Sequence, residues 1–193
     1  MGDEQDDRSA NGSSLSSADS ANRFRARFVL GLTAAVVLVV AMQGMSLWPR
    51  LPDRIPIHFG AGGAPDGWSG KNWFLVFGVV IMAAVLLVIF GLASSELLGA
   101  RWYNFPGKER VLKLSREQQR YALAPLREGM AWIGSGCTIG LALMARESWQ
   151  VAMGSREGIS SLTMIVPLAI GFAAVIIGIV CANRRAREVS EGG

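Results

Sequence analysis

Apolar and charged positions are segregated along this chain. Four stretches carry no Asp, Glu, Lys, Arg or His: Phe28–Trp48, Asn72–Ser95, Gly129–Ala145 and Gly158–Asn183. A membrane-spanning helix needs roughly 20 apolar residues, each rising about 1.5 Å. One charge at mid-bilayer costs roughly 2.5–3.5 kcal/mol on insertion scales. The pattern predicts an all-α membrane protein with four transmembrane helices, at about 28–48, 72–95, 129–145 and 159–183. The third run is the shortest. Its 17 residues make about 25 Å of helix, near the lower limit for crossing, and a buried core helix is the competing reading.

The segments between these runs differ sharply from one another. Residues 1–22 are acidic, then rich in Ser, Asn, Gly and Ala. They have too little apolar surface to fold, so a disordered tail is expected. Arg23-Phe-Arg-Ala-Arg27 follows as a basic interfacial anchor, closing a tail of 1–27 before a membrane domain of 28–183 and a short tail of 184–193. Residues 49–71 hold Pro49, Pro52, Pro56 and Pro65 with five glycines, which excludes continuous helix. Ile55, Ile57 and Phe59 alternate with Pro56 and His58, the mark of a short extended segment with one apolar face. Gly60–Gly63 supplies one turn and Pro65-Asp66-Gly67 is expected to make a second. The result is a short extended, hairpin-like loop on the membrane surface.

Between the second and third runs, Ser115 with Gln118 three residues on reads as a capping box. A helix is expected from about Arg116, kinked or broken at Pro125. The third run contains Gly136-x-x-x-Gly140 and the fourth Ala174-x-x-x-Gly178. Small residues at this spacing let helices approach closely, either within one bundle or between copies in a homo-oligomer. Pro167 predicts a kink or a late start for the fourth helix.

Charge sets the orientation. The residues before the first run carry four Arg, the loop between runs two and three carries seven Lys or Arg, and the segment after run four carries three. The opposite flanks, 49–71 and 146–157, carry three and two. Basic flanks stay cytoplasmic, so both termini are expected in the cytoplasm of a multi-pass plasma-membrane protein, with 49–71 outside. Trp48, Trp68, Trp73 and Trp149 fall at the outer ends of runs, and Trp102 and Trp132 at the inner ends, as interfacial rings do. A net charge of +4 and a pI near 9.6 follow from arginines beside anionic lipid and call for no nucleic-acid partner.

The chemistry-bearing positions gather in the outer loop. His58 is the single histidine. With Asp53 and Asp66 it offers one nitrogen and two carboxylates, which could make a weak metal site, a hydrogen-bonded tie for the loop, or a contact with a ligand. The spacing fits no compact chelate, so no metal is assigned. Trp68 reads as a membrane anchor and Lys71 as a snorkelling side chain. Cys137 and Cys181 fall at different depths of their runs, and neither disulfide nor metal is expected of them. No hydrolase motif and no ionisable residue deep within a run is present, so neither an enzyme nor a transporter acting alone is expected, and no cofactor is implied.

Leu51, Pro52, Ile55, Pro56, His58, Phe59, Gly63, Asp66 and Lys71 together resemble a prokaryotic membrane domain of unknown function. That domain also stands at the N-terminus of the immunity proteins that protect bacilli from a sporulation-delaying toxin. The family usually has Asn after His-Phe, where this chain has Gly60. A second patch, Asn104-Phe-Pro-Gly-Lys108, is similar to the family's cytoplasmic Asn-x-Pro-x-Lys element, so Asn104, Pro106 and Lys108 are its candidate residues. The resemblance spans roughly 45–135, and the second membrane domain of the immunity proteins is not evident after it. It implies a bacterial, immunity-like protein that binds or protects through 49–71, or senses the envelope there. The residues Pro52, Asp53, Pro56, His58, Asp66, Trp68 and Lys71 would serve that role. The lipid bilayer is the expected partner, with a peptide or another membrane protein beside it. An accessory subunit of a larger membrane complex is the alternative.

The charge asymmetry makes a direct prediction. Impermeant thiol reagents applied to intact cells should label Gly60→Cys and spare Arg110→Cys. Labelling of both, or of neither until the cells are opened, would contradict the orientation.

Overall fold

In a computed structural model the backbone is described for residues 3–191 and the side chains for 19–191. Five helices and a two-stranded sheet follow one another. Helix α1 (Asp3–Leu47) ends in a 3₁₀ turn, Trp48–Arg50. Strands β1 (Arg54–Phe59) and β2 (Pro65–Gly70) form an antiparallel hairpin. Helix α2 (Trp73–Ala93), a second 3₁₀ turn (Ala100–Trp102), the short α3 (Lys108–Leu112), α4 (Arg116–Ala152) and α5 (Leu162–Glu191) complete the chain. The expected outer loop is thus a real hairpin. Only its second expected turn is absent: Pro65, Asp66 and Gly67 lie in β2, and the register shifts there between Pro56, His58 and Phe59.

Three helical segments are long and apolar enough to cross a membrane: Asp19–Arg50, Trp73–Ala93 and Leu162–Glu191. In their most apolar windows only 22%, 17% and 11% of residues are buried. Phe28, Leu38, Ile81, Val88, Ile176 and Val180 all point outward, which is the arrangement lipid favours. The fourth expected span does not share this character. Residues 129–145 are the middle of α4, whose residues Gly129, Ala131, Gly134, Ser135, Gly136, Thr138 and Gly140 are buried against protein. A helix enclosed by other helices needs small side chains more than apolar ones.

Helix α4 packs against α1, α2 and α5 and forms the axis of the bundle. Its seam with α5 is closed by glycine on both sides. A methyl group added to Gly171 would lie 2.6 Å from the Ile133 Cα, and one added to Gly178 would lie 2.6 Å from the Pro125 carbonyl oxygen. Gly129 meets the Ala174 carbonyl, Gly136 the Pro167 carbonyl and Gly140 the Met164 sulfur in the same way. The expected small-residue positions Gly136, Gly140, Ala174 and Gly178 therefore all lie on this internal seam. Pro125 and Pro167 both sit inside uninterrupted helices, so neither breaks its helix and α5 begins before Pro167.

The N-terminal expectation needs correction for the residues with described side chains. Residues 19–27 continue α1 instead of forming a separate tail and anchor, because tertiary contacts hold them. The Asn22 amide donates to Glu128 at 2.6 Å, Arg25 pairs with Glu128 at 2.9 Å, and Arg185 reaches Asn22 at 3.3 Å. The expected disorder of 1–18 lies outside the residues with described side chains. Ser115 and Gln118 form the predicted capping box at the start of α4.

Two apolar clusters anchor the ends of the bundle. One joins Val37, Val40, Leu51, Ile55, Val76, Val80, Ala83, Ala142, Ala145 and Trp149 beneath the hairpin. The other joins Tyr103, Phe105, Val111, Leu123, Leu126, Ala182 and neighbours at the opposite end.

Because Gly136 faces backbone, Gly136→Val should destabilise the detergent-solubilised protein by about 1–3 kcal/mol, the usual cost of overpacking. Gly78→Val, where nothing lies within 4 Å, should leave the melting profile unchanged. Equal behaviour of the two variants would rule out the seam as a constraint.

Candidate functional site

The hairpin is held over one end of the bundle by contacts with the 3₁₀ turn before it, with α4 and with the loop between α4 and α5. At its base, the Lys71 amide donates to the Asp53 carbonyl at 2.8 Å, and Lys71 Nζ donates to the Leu51 carbonyl at 2.7 Å. The same ammonium lies 5.3 Å from the centroid of Trp48. Lys71 is thus a brace of the loop and not a free snorkelling chain. In β1, Ile55 and Pro56 are buried, and the Pro56 carbonyl faces the Ser148 hydroxyl of α4 at 3.5 Å. Proline is tolerated because each strand of a two-stranded sheet is an edge strand.

At its tip the hairpin is pressed onto the loop between α4 and α5. The Ile159 amide donates to the Gly63 carbonyl at 2.9 Å. Gly63 has φ +80, a left-handed conformation that favours glycine. A side chain there would strike the Ile159 carbonyl, and one at Gly158 would strike the Gly63 carbonyl.

His58 and Asp66 face each other across the strands, with Nδ1 and Oδ1 2.5 Å apart. Both side chains are exposed, at 72% and 53%, so their attraction is screened by water. Gly67 permits this pairing, since a methyl there would lie 2.8 Å from the His58 Cβ. Asp53 stands apart at the base, so the structure unites His58 with one of the two expected aspartates. Among the described residues no three His, Cys, Asp or Glu side chains converge on a metal position, and both cysteines are free thiols. Pro52 is exposed, and Trp68 is 41% exposed opposite Pro56.

Beneath the hairpin an aromatic column joins three elements. Trp48 stacks on Trp73 at 4.0 Å, Trp73 on Phe77 at 5.1 Å, and Phe77 meets Trp149 at 6.1 Å. Trp149 is 3% exposed and donates from Nε1 to the Val76 carbonyl at 3.1 Å. It is a core residue, not an interfacial ring. Beside this column a groove of ≈ 570 Å³ opens between β1, α2 and α4. Ile55, Ile57 and Phe59 roof it, while Val79, Met82, Leu141 and Met144 form its walls. Such a surface accepts an apolar chain and offers almost no polar anchor.

Glu147 was not legible as a site from the sequence. It is 7% exposed at the hairpin end of α4. Its carboxylate accepts from Arg156 at 2.8 Å, from the Ser160 amide at 2.8 Å and from the Thr163 hydroxyl at 2.9 Å. An anion set among the donors at the start of α5 satisfies them and complements the helix dipole. A Glu beside a run of apolar residues gives no hint of this until the loop of 153–161 folds back.

The second expected element lies at the far end of the bundle, not near this site. Asn104 and Pro106 are exposed, and Lys108 Nζ donates to the Arg101 carbonyl at 2.9 Å. Gly107, at φ +89, lets α3 begin directly against Asn183 of α5.

Residues 31–84 match the family described as a Domain of unknown function (DUF1648). The match covers the later part of α1, the whole hairpin and the first half of α2. It stops before Asn104–Lys108, so the resemblance is shorter at that end than the sequence alone implied. No curated protein and no solved structure matches the chain.

Removing the acceptor at Glu147 should expose its role. Glu147→Ala is expected to cost about 1.5–3 kcal/mol, the range for hydrogen bonds to a charged group. It should also speed amide exchange over 158–164. Glu157→Ala, at an exposed neighbour, serves as the control. Unchanged exchange at Ser160 in the Glu147 variant would refute the capping role.

Proposed function

We propose that this is a multi-pass protein of a bacterial plasma membrane that binds an apolar ligand at the outer face, and that its hairpin and groove protect the cell from membrane-active peptides. The observation that carries the reading is the groove under the hairpin, which lies largely within the part of the chain that matches the family. In this reading α4 also crosses the bilayer as a fourth span. Glu128 and Arg146 bracket an uncharged stretch of it, and the 18-residue step between them rises about 27 Å, close to the hydrocarbon thickness. Lipid-facing helices on its flanks spare α4 the need for an apolar surface. The arginine-rich loop and both ends of the chain then lie in the cytoplasm, and the hairpin lies outside.

The chemistry of binding would be simple. Ile57, Phe59, Phe74 and Met82 present apolar surface to a ligand that is already dissolved in the outer leaflet. Trp68 and the His58–Asp66 pair, on the exposed face, would meet its polar part. The resemblance of residues 51–71 to a domain that also occurs in toxin-immunity proteins supports a protective role without naming the toxin.

The test uses cells that carry the deletion and are complemented with variants. His58→Ala with Asp66→Ala removes only an exposed pair and should cost less than about 1 kcal/mol of stability. Val79→Trp fills the groove. Both should lower survival toward that of the deletion strain when cells meet a panel of membrane-active peptides. Survival equal to wild type for both variants across the panel would sink the reading. A stoichiometric membrane partner recovered in mild detergent would favour the accessory-subunit alternative.

A further inference from the structure

At the end of the bundle opposite the hairpin, a polar cavity of ≈ 860 Å³ lies between α1, the end of α2 and α4. Its carboxylates are already engaged. Asp19 pairs with Arg23, Glu96 accepts from Arg23 at 2.9 Å with Arg120 at 3.8 Å, and Glu128 takes Arg25 and Asn22. Two cations on the cavity wall are left over. Arg27 is exposed and makes no ion pair among the described residues. Arg127 is more than nine-tenths buried, at 7% exposure. Its Nη2 donates to the neutral Leu98 carbonyl at 3.0 Å, and its buried Nε has no partner among the described residues.

A buried guanidinium that makes no ion pair and whose hydrogen bond among the described residues goes to a carbonyl is poorly compensated, since a buried charge calls for an opposite charge or several hydrogen bonds. Guanidinium groups match phosphate oxygens in charge and in fork geometry. The surroundings narrow the source of that phosphate. Leu30, Gly91 and Leu97 line the same cavity, and Leu97 is 80% exposed beside the end of the apolar helix α2. The polar floor thus adjoins surface suited to acyl chains.

We infer that this cavity is a binding site for a phosphate-bearing anion, held by Arg127 from within and by Arg27 at the mouth, with an anionic phospholipid headgroup as the ligand the apolar rim favours. The site is separate from the hairpin groove and does not depend on that groove having a ligand.

Native mass spectrometry of the full chain in detergent, titrated with phosphatidylglycerol or phosphatidylcholine, tests it. The wild type should retain one phosphatidylglycerol in preference to phosphatidylcholine. Arg127→Gln should weaken that retention about tenfold, as expected for loss of a charge-assisted contact, while Arg127→Lys should restore part of it. Arg187→Gln, in the last turns of α5, should have no effect. If Arg127→Gln does not fold, Arg27→Gln and Ser94→Asp carry the same test, the latter by placing a carboxylate in the cavity. Displacement of the lipid by soluble glycerol 3-phosphate would support the phosphate site with a soluble source. Equal retention of the two lipids together with no binding of glycerol 3-phosphate would overturn it. So would unchanged retention in folded cavity variants.

Discussion

Close approach of α4 to α5 governs the rest of the architecture. Gly129, Gly136, Gly171 and Gly178 place the backbone of one helix against that of the other, and at such contacts dispersion acts across many atom pairs at once. A helix made narrow along one side can be surrounded by three others. That arrangement frees α1, α2 and α5 to expose their large side chains, and it puts Arg127, in the first half of α4, and Glu147, near its end, into largely buried positions. Water or lipid outside and small residues inside are two consequences of the same packing.

The two ends of the bundle are built on different physics. At the hairpin end, apolar and aromatic surfaces dominate, and the few polar groups are used to hold loops in place: Lys71 on Leu51, Glu147 on the start of α5, Gly63 on Ile159. At the other end, arginines and carboxylates from α1, the segment after α2, α4 and α5 interlock. The first surface is almost wholly apolar and the second is lined by charged side chains.

Much of this was legible in the sequence where the signal is local. Uncharged runs mark the apolar helices, Pro and Gly mark the hairpin, and Ser115 with Gln118 marks the start of α4. What escaped is what depends on distant partners. Nothing in residues 19–27 reveals that Asn22 and Arg25 will meet Glu128, so a helix looked like a tail. Trp149 looks like an interfacial ring until Val76 is found beneath its Nε1. Pro65-Asp66-Gly67 has turn composition, yet pairing with β1 and the bulge at His58 draw it into a strand. In α4 the small residues that lower its apolar character are the ones its buried position demands, so the weakest predicted span is the most enclosed helix.

The clasp of Glu147 on the first turn of α5 also bears on how the chain is made. A ribosome completes α4 before it reaches Ser160 and Thr163. The carboxylate therefore stands ready when those donors emerge, 13 and 16 residues later. The final helix can be received by a docking point already present on its neighbour, and the order of synthesis is also the order in which the last joint can close.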